Sequence, residues 1–243
     1  MKRVVLILAA CGSPTKQPAP VPPKPAPVVV VVEQPRDVMQ QAMHVVHSAR
    51  STAYTHKTTV EEDEGKYEFD CSGFVGYVLR QSQPRAFAEL RAATRSGSPR
   101  PLAKHFVAFF QNLPESSAWR RIERASELAA GDMIAWLKPD DVTTKNTGHV
   151  MIVRGKPVRD EDHPDVWAVP IIDSTAVPHG TGDSRKATGA TGLGTGEVLL
   201  IVDADEIPIG YRWSRGTKAT LHLTTIALAG VWIQRATTTD SSH

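Results

Sequence analysis

The stretch Phe69-Asp70-Cys71-Ser72-Gly73-Phe74-Val75 carries the side chain best suited to nucleophilic chemistry, the thiol of Cys71. Thiolate rather than thiol is the nucleophile, and two devices favour the charged form: a helix N-terminus and a neighbouring imidazolium. Phe74, Val75, Val78 and Leu79 recur on one face, so the spacing predicts a helix beginning at or just after Cys71. Its unpaired first N–H groups, notably that of Cys71, would help hold an oxyanion. A lone cysteine is most often a small buried apolar residue. Here the polar pair Asp70 and Ser72, and a glycine inside the first turn where propensity disfavours it, argue for a working thiol.

The base must come from elsewhere in the chain. His149 follows Asn146-Thr147-Gly148 and opens the apolar run Val150-Met151-Ile152-Val153. A histidine at a strand end, beside a glycine, suits a groove-facing position, and taken alone it suits a structural role equally well.

The elements that must position these groups fall into two halves. Asp37 is a plausible N-cap for a helix with Val38, Ala42, Val45, Val46 and Ala49 on one face, ending near Arg50. On it, His44 and His47 stand three apart without a third ligand and read as surface residues. A polar loop is expected from Ser51 to Lys66, and the Cys71 helix follows. Ala86 to Thr94 offers another helix, and a further one after Pro101 carries Leu102, Phe106, Val107 and Phe110 to about Asn112. After Ala130 the periodicity changes: Gly131-Asp132 reads as a turn. Strands are then predicted at Met133–Leu137, His149–Arg154, Trp167–Ile172, Glu197–Val202, Gly210–Trp213 and Ile226–Arg235. Helices first and about six strands after predict an α+β fold with an antiparallel sheet or small barrel. Gly189, Gly192, Gly194 and Gly196 look like a nucleotide fingerprint, but a strand follows where that motif needs a helix, so they are read as a loop bordering the site.

With 243 residues and a net charge of +2, the chain has room for one well-filled core, and its overall charge does not call for nucleic acid. The segment from Arg80 to Arg124 is locally basic and reads as a solvated face that also reshapes one wall of the groove. Met1-Lys2-Arg3, the apolar run Val4–Ala10 and Cys11 form an export pattern, and Leu8-Ala9-Ala10-Cys11 looks like a bacterial lipobox. The expected organisation is a signal peptide at 1–10, a lipidated Cys11 heading a Pro-rich tether at 11–36, a catalytic domain at 37–236 and a disordered tail at 237–243. Gly12 is not an acidic retention signal, so the expected address is the outer membrane, facing the periplasm.

Three motifs in order, Asp70-Cys71-Ser72-Gly73-Phe74-Val75, Gly131-Asp132 before a strand, and Gly148-His149-Val150, resemble the NlpC/P60-type peptidases. These are papain-like cysteine hydrolases of bacterial cell walls. The resemblance implies a nucleophile helix packed on a small barrel, Cys71 as nucleophile and His149 as base. It also implies a third polar residue on the next strand that orients the histidine. Asp173 is the candidate, because alternation along Val169–Thr175 puts it on the face of Ile171 at the strand's end, and a carboxylate there fixes the imidazole tautomer. The family usually has a histidine at that point. Asp173 also reads as a turn cap, and His179 is the second candidate for the orienting role. A tyrosine hydroxyl in the site is implied too, with Tyr54 first and Tyr67 second. Tyr54, Asp70 and Ser72 are thus expected around the substrate and oxyanion. No cofactor is implied, no metal-ligand spacing is visible, and a monomer acting on peptidoglycan stem peptides is the expected form. The alternatives are a papain-like amidase or acyl transferase on another substrate, and a non-catalytic envelope-binding module.

Overall fold

The computed structural model describes residues 37–94, 98–216 and 219–232. The expected signal segment, Cys11, the tether and the tail lie outside the described residues. The chain divides into two units, Met1–Gln34 and Pro35–His243, and every element below belongs to the second. No helix among the described residues is long and apolar enough to cross a membrane.

Helix α1 (Val38–Ser48) opens on a capping box: Asp37 accepts from the Gln40 N–H at 2.7 Å while the Gln40 side chain accepts from the Asp37 N–H at 3.2 Å. Both histidines on this helix are exposed. The expected loop from 51 to 66 is corrected by the structure. It folds into β1 (Ser51–Tyr54) and β2 (Thr59–Glu61), which flank β3 (Lys66–Phe69) in a small sheet, β1 parallel and β2 antiparallel to it. Only β3 alternates cleanly, burying Tyr67 and Phe69. The other two strands are polar and three or four residues long, and they exist because β3 offers them a ladder.

Helix α2 (Cys71–Ser82) is buried from Cys71 through Leu79. Two further helices, α3 (Pro84–Ala93) with proline in its first turn and α4 (Ala103–Gln111), complete the helical half close to the predicted bounds. The large sheet is built from β4 (Trp119–Ile122), β5 (Met133–Leu137), β6 (Gly148–Val153), β7 (Val158–Arg159), β8 (Val166–Thr175), β9 (Gly192–Val202), β10 (Pro208–Arg212), β11 (Leu221–Leu223) and β12 (Ile226–Val231). Its order is β11-β10-β9-β8-β6-β5-β12-β4, with β7 alongside β8, and all of its pairings are antiparallel. The protein is thus α+β with a large antiparallel sheet and few helices. The predicted strands are all present, joined by β4, β7 and β11, whose lengths of two to four residues carry too little periodicity to announce them.

Both faces of the sheet are apolar. One packs Met133, Ala135, Val150, Ile152, Ile172 and Ala227 against α2 and α4. The other gathers Ile134, Trp136, Met151, Val169, Ile171, Val198, Leu200 and Tyr211. The sheet curls around this second cluster. Trp136 on β5 stacks on Tyr211 of β10 at 4.0 Å, and β10 touches β12, though three strands or more separate these pairs in the sheet order.

Candidate active site

Cys71 sits at the first turn of α2, 5% exposed, where the carboxylate of Asp70 accepts from the Gly73 N–H at 2.7 Å. A Cβ on Gly73 would lie 2.8 Å from Thr58 Oγ1, so the glycine that propensity disfavours is there to let the cap and its neighbour approach. Asp70 is paired with Arg100, whose guanidinium also donates to Ser72 Oγ at 2.6 Å, and with His56 Nδ1 at 3.2 Å. Ser72 in turn donates to Asp70 at 3.2 Å. The side chains of Asp70 and Ser72 therefore hold the helix start, and the Gly73 N–H of the first turn is taken up by the Asp70 cap.

His149 opens β6. Gly148 before it has φ +139°, and a Cβ there would fall 1.9 Å from the Trp136 carbonyl, so the strand can cross β5 at this point only with glycine. The β6–β8 ladder pairs Ile152 with Ile172 and Val153 with Ile171, which sets the start of β6 near the end of β8. His149 Nε2 donates to Asp173 Oδ2 at 2.7 Å. The strand end expected at Asp173 comes later: the residue lies within β8, two residues before its last, and is completely buried. With Nε2 engaged, Nδ1 is the ring nitrogen left for Cys71. The next residue ties the two halves together, because Ser174 Oγ donates to the Phe69 carbonyl at 2.8 Å, two residues before the thiol.

Burial would favour the neutral form of His149, yet the negative charge of Cys71 and hydrogen bonds to Asp173 and Cys71 outweigh it and raise the ring's pKa to about 10. Burial likewise opposes charge on Asp173, and the cations of His179 and Arg185 with the two imidazole hydrogen bonds hold it well below the usual carboxylate range. Tyr54 is half-buried beside these groups. Burial, then the negative charges of Cys71 and Asp70, push its hydroxyl above the ordinary value, so it stays a hydrogen-bond donor. Tyr67, the second candidate, instead meets Ser48 in the core at 3.1 Å, away from the groove.

His179 does not replace Asp173; it joins it. Its Nε2 reaches Asp173 Oδ2 at 2.9 Å, its Nδ1 reaches the Trp213 carbonyl at 3.0 Å, and its ring stacks on Trp213 at 3.9 Å. The ring is thus held between a backbone carbonyl and a carboxylate. On the other side of the carboxylate Arg185 donates to Asp173 Oδ1 at 2.9 Å and makes a two-pronged pair with Asp183, at 2.8 and 2.6 Å. Asp183 also accepts from the His179 N–H at 2.7 Å. The glycine-rich segment is the frame for this network. A Cβ on Gly194 would meet the Arg185 side chain at 2.7 Å, and one on Gly196 would meet Asp183 and His179 at 2.9 Å. Sequence reasoning does not find Arg185, Asp183, Trp213 or Arg100; the glycines are the visible signal for the first two.

Among the described residues one group of His, Cys, Asp and Glu is close enough to hold a metal ion, namely His149, Asp173 and His179, with ligand atoms within 4.8 Å of one another. Those atoms are already joined by hydrogen bonds, and the Arg185 guanidinium on the same carboxylate would face any added cation, so the geometry favours proton holding over metal binding. Gly131-Asp132 serves the fold rather than the chemistry. Asp132 accepts from the Ala129 N–H at 2.8 Å and from Arg120 at 2.5 Å, closing the turn before β5.

Two chambers flank the thiol and the imidazole. One, of about 310 Å³, is lined by Tyr54, Pro139, Val142, His149, Val177 and Trp213 among others. The other, of about 300 Å³, is lined by Tyr54, His56, Asp70, Cys71, Arg100 and Lys145 among others. Tyr54, Asn146 and Gly148 border both. The basic segment thus forms part of one wall through Arg100, Leu102 and Ala103. A thiol, an imidazole and a buried carboxylate in sequence can move a proton from sulfur to nitrogen and hold it there.

The chain is 32% identical over 164 residues to the uncharacterized protein R653 of Acanthamoeba polyphaga mimivirus, a match spanning 62% of this chain and 70% of that protein. The chain belongs to that protein's family. No protein-family model and no solved structure matches the chain. The viral relative brings no assigned activity to the family, so the chemistry is argued from the site itself.

Proposed function

We propose that the protein is a cysteine hydrolase in which Cys71 attacks a carbonyl carbon and His149 moves the proton, on a papain-like NlpC/P60 plan. The observation that carries this reading is the meeting of Cys71, at a helix N-terminus, with His149, whose far nitrogen is held by an ionised and wholly buried Asp173. His149 takes the proton of Cys71 as sulfur attacks the carbonyl carbon, and the carbonyl electron pair moves onto oxygen. The first N–H groups of α2 and the Tyr54 hydroxyl are the donors available to that oxyanion. His149 then protonates the leaving amine as the C–N bond breaks, leaving an acyl-thioester. Water, deprotonated by His149, attacks the thioester and frees the acid and the thiol. Asp173 acts through His149 as a positioning residue, and Asp70 and Ser72 position the start of the helix.

The same resemblance, with lipidation at Cys11 and an outer-membrane address, puts peptidoglycan stem peptides first among substrates. The test is to incubate the full chain and Cys71→Ala with peptidoglycan and defined muropeptides and read products by mass spectrometry. New stem fragments from the wild type alone are expected. Unchanged muropeptides, together with a Cys71 that alkylates no faster than glutathione, overturn the reading.

A further inference from the structure

We infer that the substrate of this site carries an apolar group on one side of the scissile bond and an anionic group on the other. This rests on the cysteine-hydrolase reading and narrows its substrate class. The chamber beside His149 presents Pro139, Val142, Val177, Tyr211 and Trp213, with Lys138 on its wall as well. Val177 leaves 59% of its surface in water at the rim, where an apolar ligand would cover it. The aromatic wall is preformed, because Tyr211 is stacked on Trp136 at 4.0 Å and Trp213 on His179 at 3.9 Å. An apolar group entering there meets a surface already ordered, so little conformational entropy is lost on binding.

The chamber beside Cys71 has apolar lining too, from Leu102 and Ala103, and gathers more charged side chains. His56, Arg100 and Lys145 line it against one carboxylate, Asp70, which already caps α2 and pairs with Arg100. Its surplus is positive and partly solvated, which suits a carboxylate or phosphate on the substrate. The two chambers share Tyr54, Asn146 and Gly148. A molecule spanning them therefore passes over the thiol with its apolar end beside His149 and its anionic end beside Arg100 and Lys145. A stem peptide that presents an apolar side chain to the first chamber and a carboxylate to the second satisfies both, as does an acylated amino acid or a similar amphiphile.

Three reagents with one reactive group test this: iodoacetamide, N-octyl iodoacetamide and N-(3-carboxypropyl) iodoacetamide. In each, the Cys71 sulfur displaces iodide, forming a C–S bond as the C–I bond breaks. Rates at Cys71 in the full chain are read by peptide mass spectrometry, which separates it from Cys11, and each is divided by the rate with glutathione. The normalised octyl rate is expected to exceed that of iodoacetamide by about tenfold or more, from methylenes removed from water. The carboxypropyl rate should exceed it by about threefold or more, from the positive chamber. In Val142→Ser/Val177→Ser the octyl ratio should fall toward one, and in Lys145→Glu the carboxypropyl ratio should do the same. An octyl ratio near one, or one untouched by the serines, overturns the amphiphile inference while leaving the hydrolase reading standing. Iodoacetamide reacting with Cys71 no faster than with glutathione brings down the hydrolase reading as well.

Discussion

Two carboxylates serve the thiol and the imidazole, Asp70 paired with an arginine and one histidine and Asp173 with an arginine and two, and their surroundings make them different devices. Asp173 is fully buried with Arg185, His149 and His179, and its partners are buried too. Asp70 is nearly buried, but its Arg100 partner keeps 25% of its side chain in water and His56 keeps 69%. In the interior the pairing has no competitor, so removing one member strands charges that water cannot reach. At the helix start water and salt replace a lost partner. The buried set therefore holds geometry and protonation, and the wetter set is free to meet a substrate.

Substitutions of increasing mildness break or sharpen that contrast. Asp173→Ala should destabilise the fold by about 3–5 kcal/mol, since it removes the carboxylate that His149, His179 and Arg185 share in the interior and leaves Arg185 paired with Asp183 alone; equal melting temperatures for variant and wild type would erase the distinction. Arg185→Met strands Asp173 and Asp183 together and should cost about 3 kcal/mol, read by urea unfolding. Because His149 is raised from 6.5 to about 10 by its partners, its charge contributes stability that is fully present below about pH 6.5 and is lost as pH rises through about 10. Wild-type melting temperature should accordingly drop over that interval more than that of His149→Gln, and parallel curves would refute the charged pair. Arg100→Met should cost about 1 kcal/mol or less, and its effect should fade in molar salt, where the screening length is about 3 Å. A loss as large as that of Arg185→Met, or one indifferent to salt, would show that the two regions are energetically alike. His56→Gln should change stability least of all while still lowering the carboxypropyl ratio.

Local order is legible in the chain itself. The helix after Asp70 can be read because capping and the spacing of Phe74, Val75, Val78 and Leu79 act within four residues. The main strands can be read because alternation acts within two. Cys71 and His149 stand out because their residue types are unusual at the starts of elements, and the fold sets Asp173 behind His149 in the interior. The strands β1 and β2 are hidden because their stability lies in pairing with β3, and their own side chains are polar.

The arginine partners of the two carboxylates belong to tertiary structure alone. Arg100 reaches Asp70 across 30 residues, and the Trp213 carbonyl meets His179 across 34. Nothing in the spacing around either residue announces the other. His179 reads along the chain as a rival to Asp173 and is instead its neighbour, since one carboxylate oxygen accepts from both imidazoles. Propensity and periodicity describe a residue and its near neighbours along the chain. Desolvation, which decides what charge a buried group carries and which partners it must have, depends on every segment packed around it.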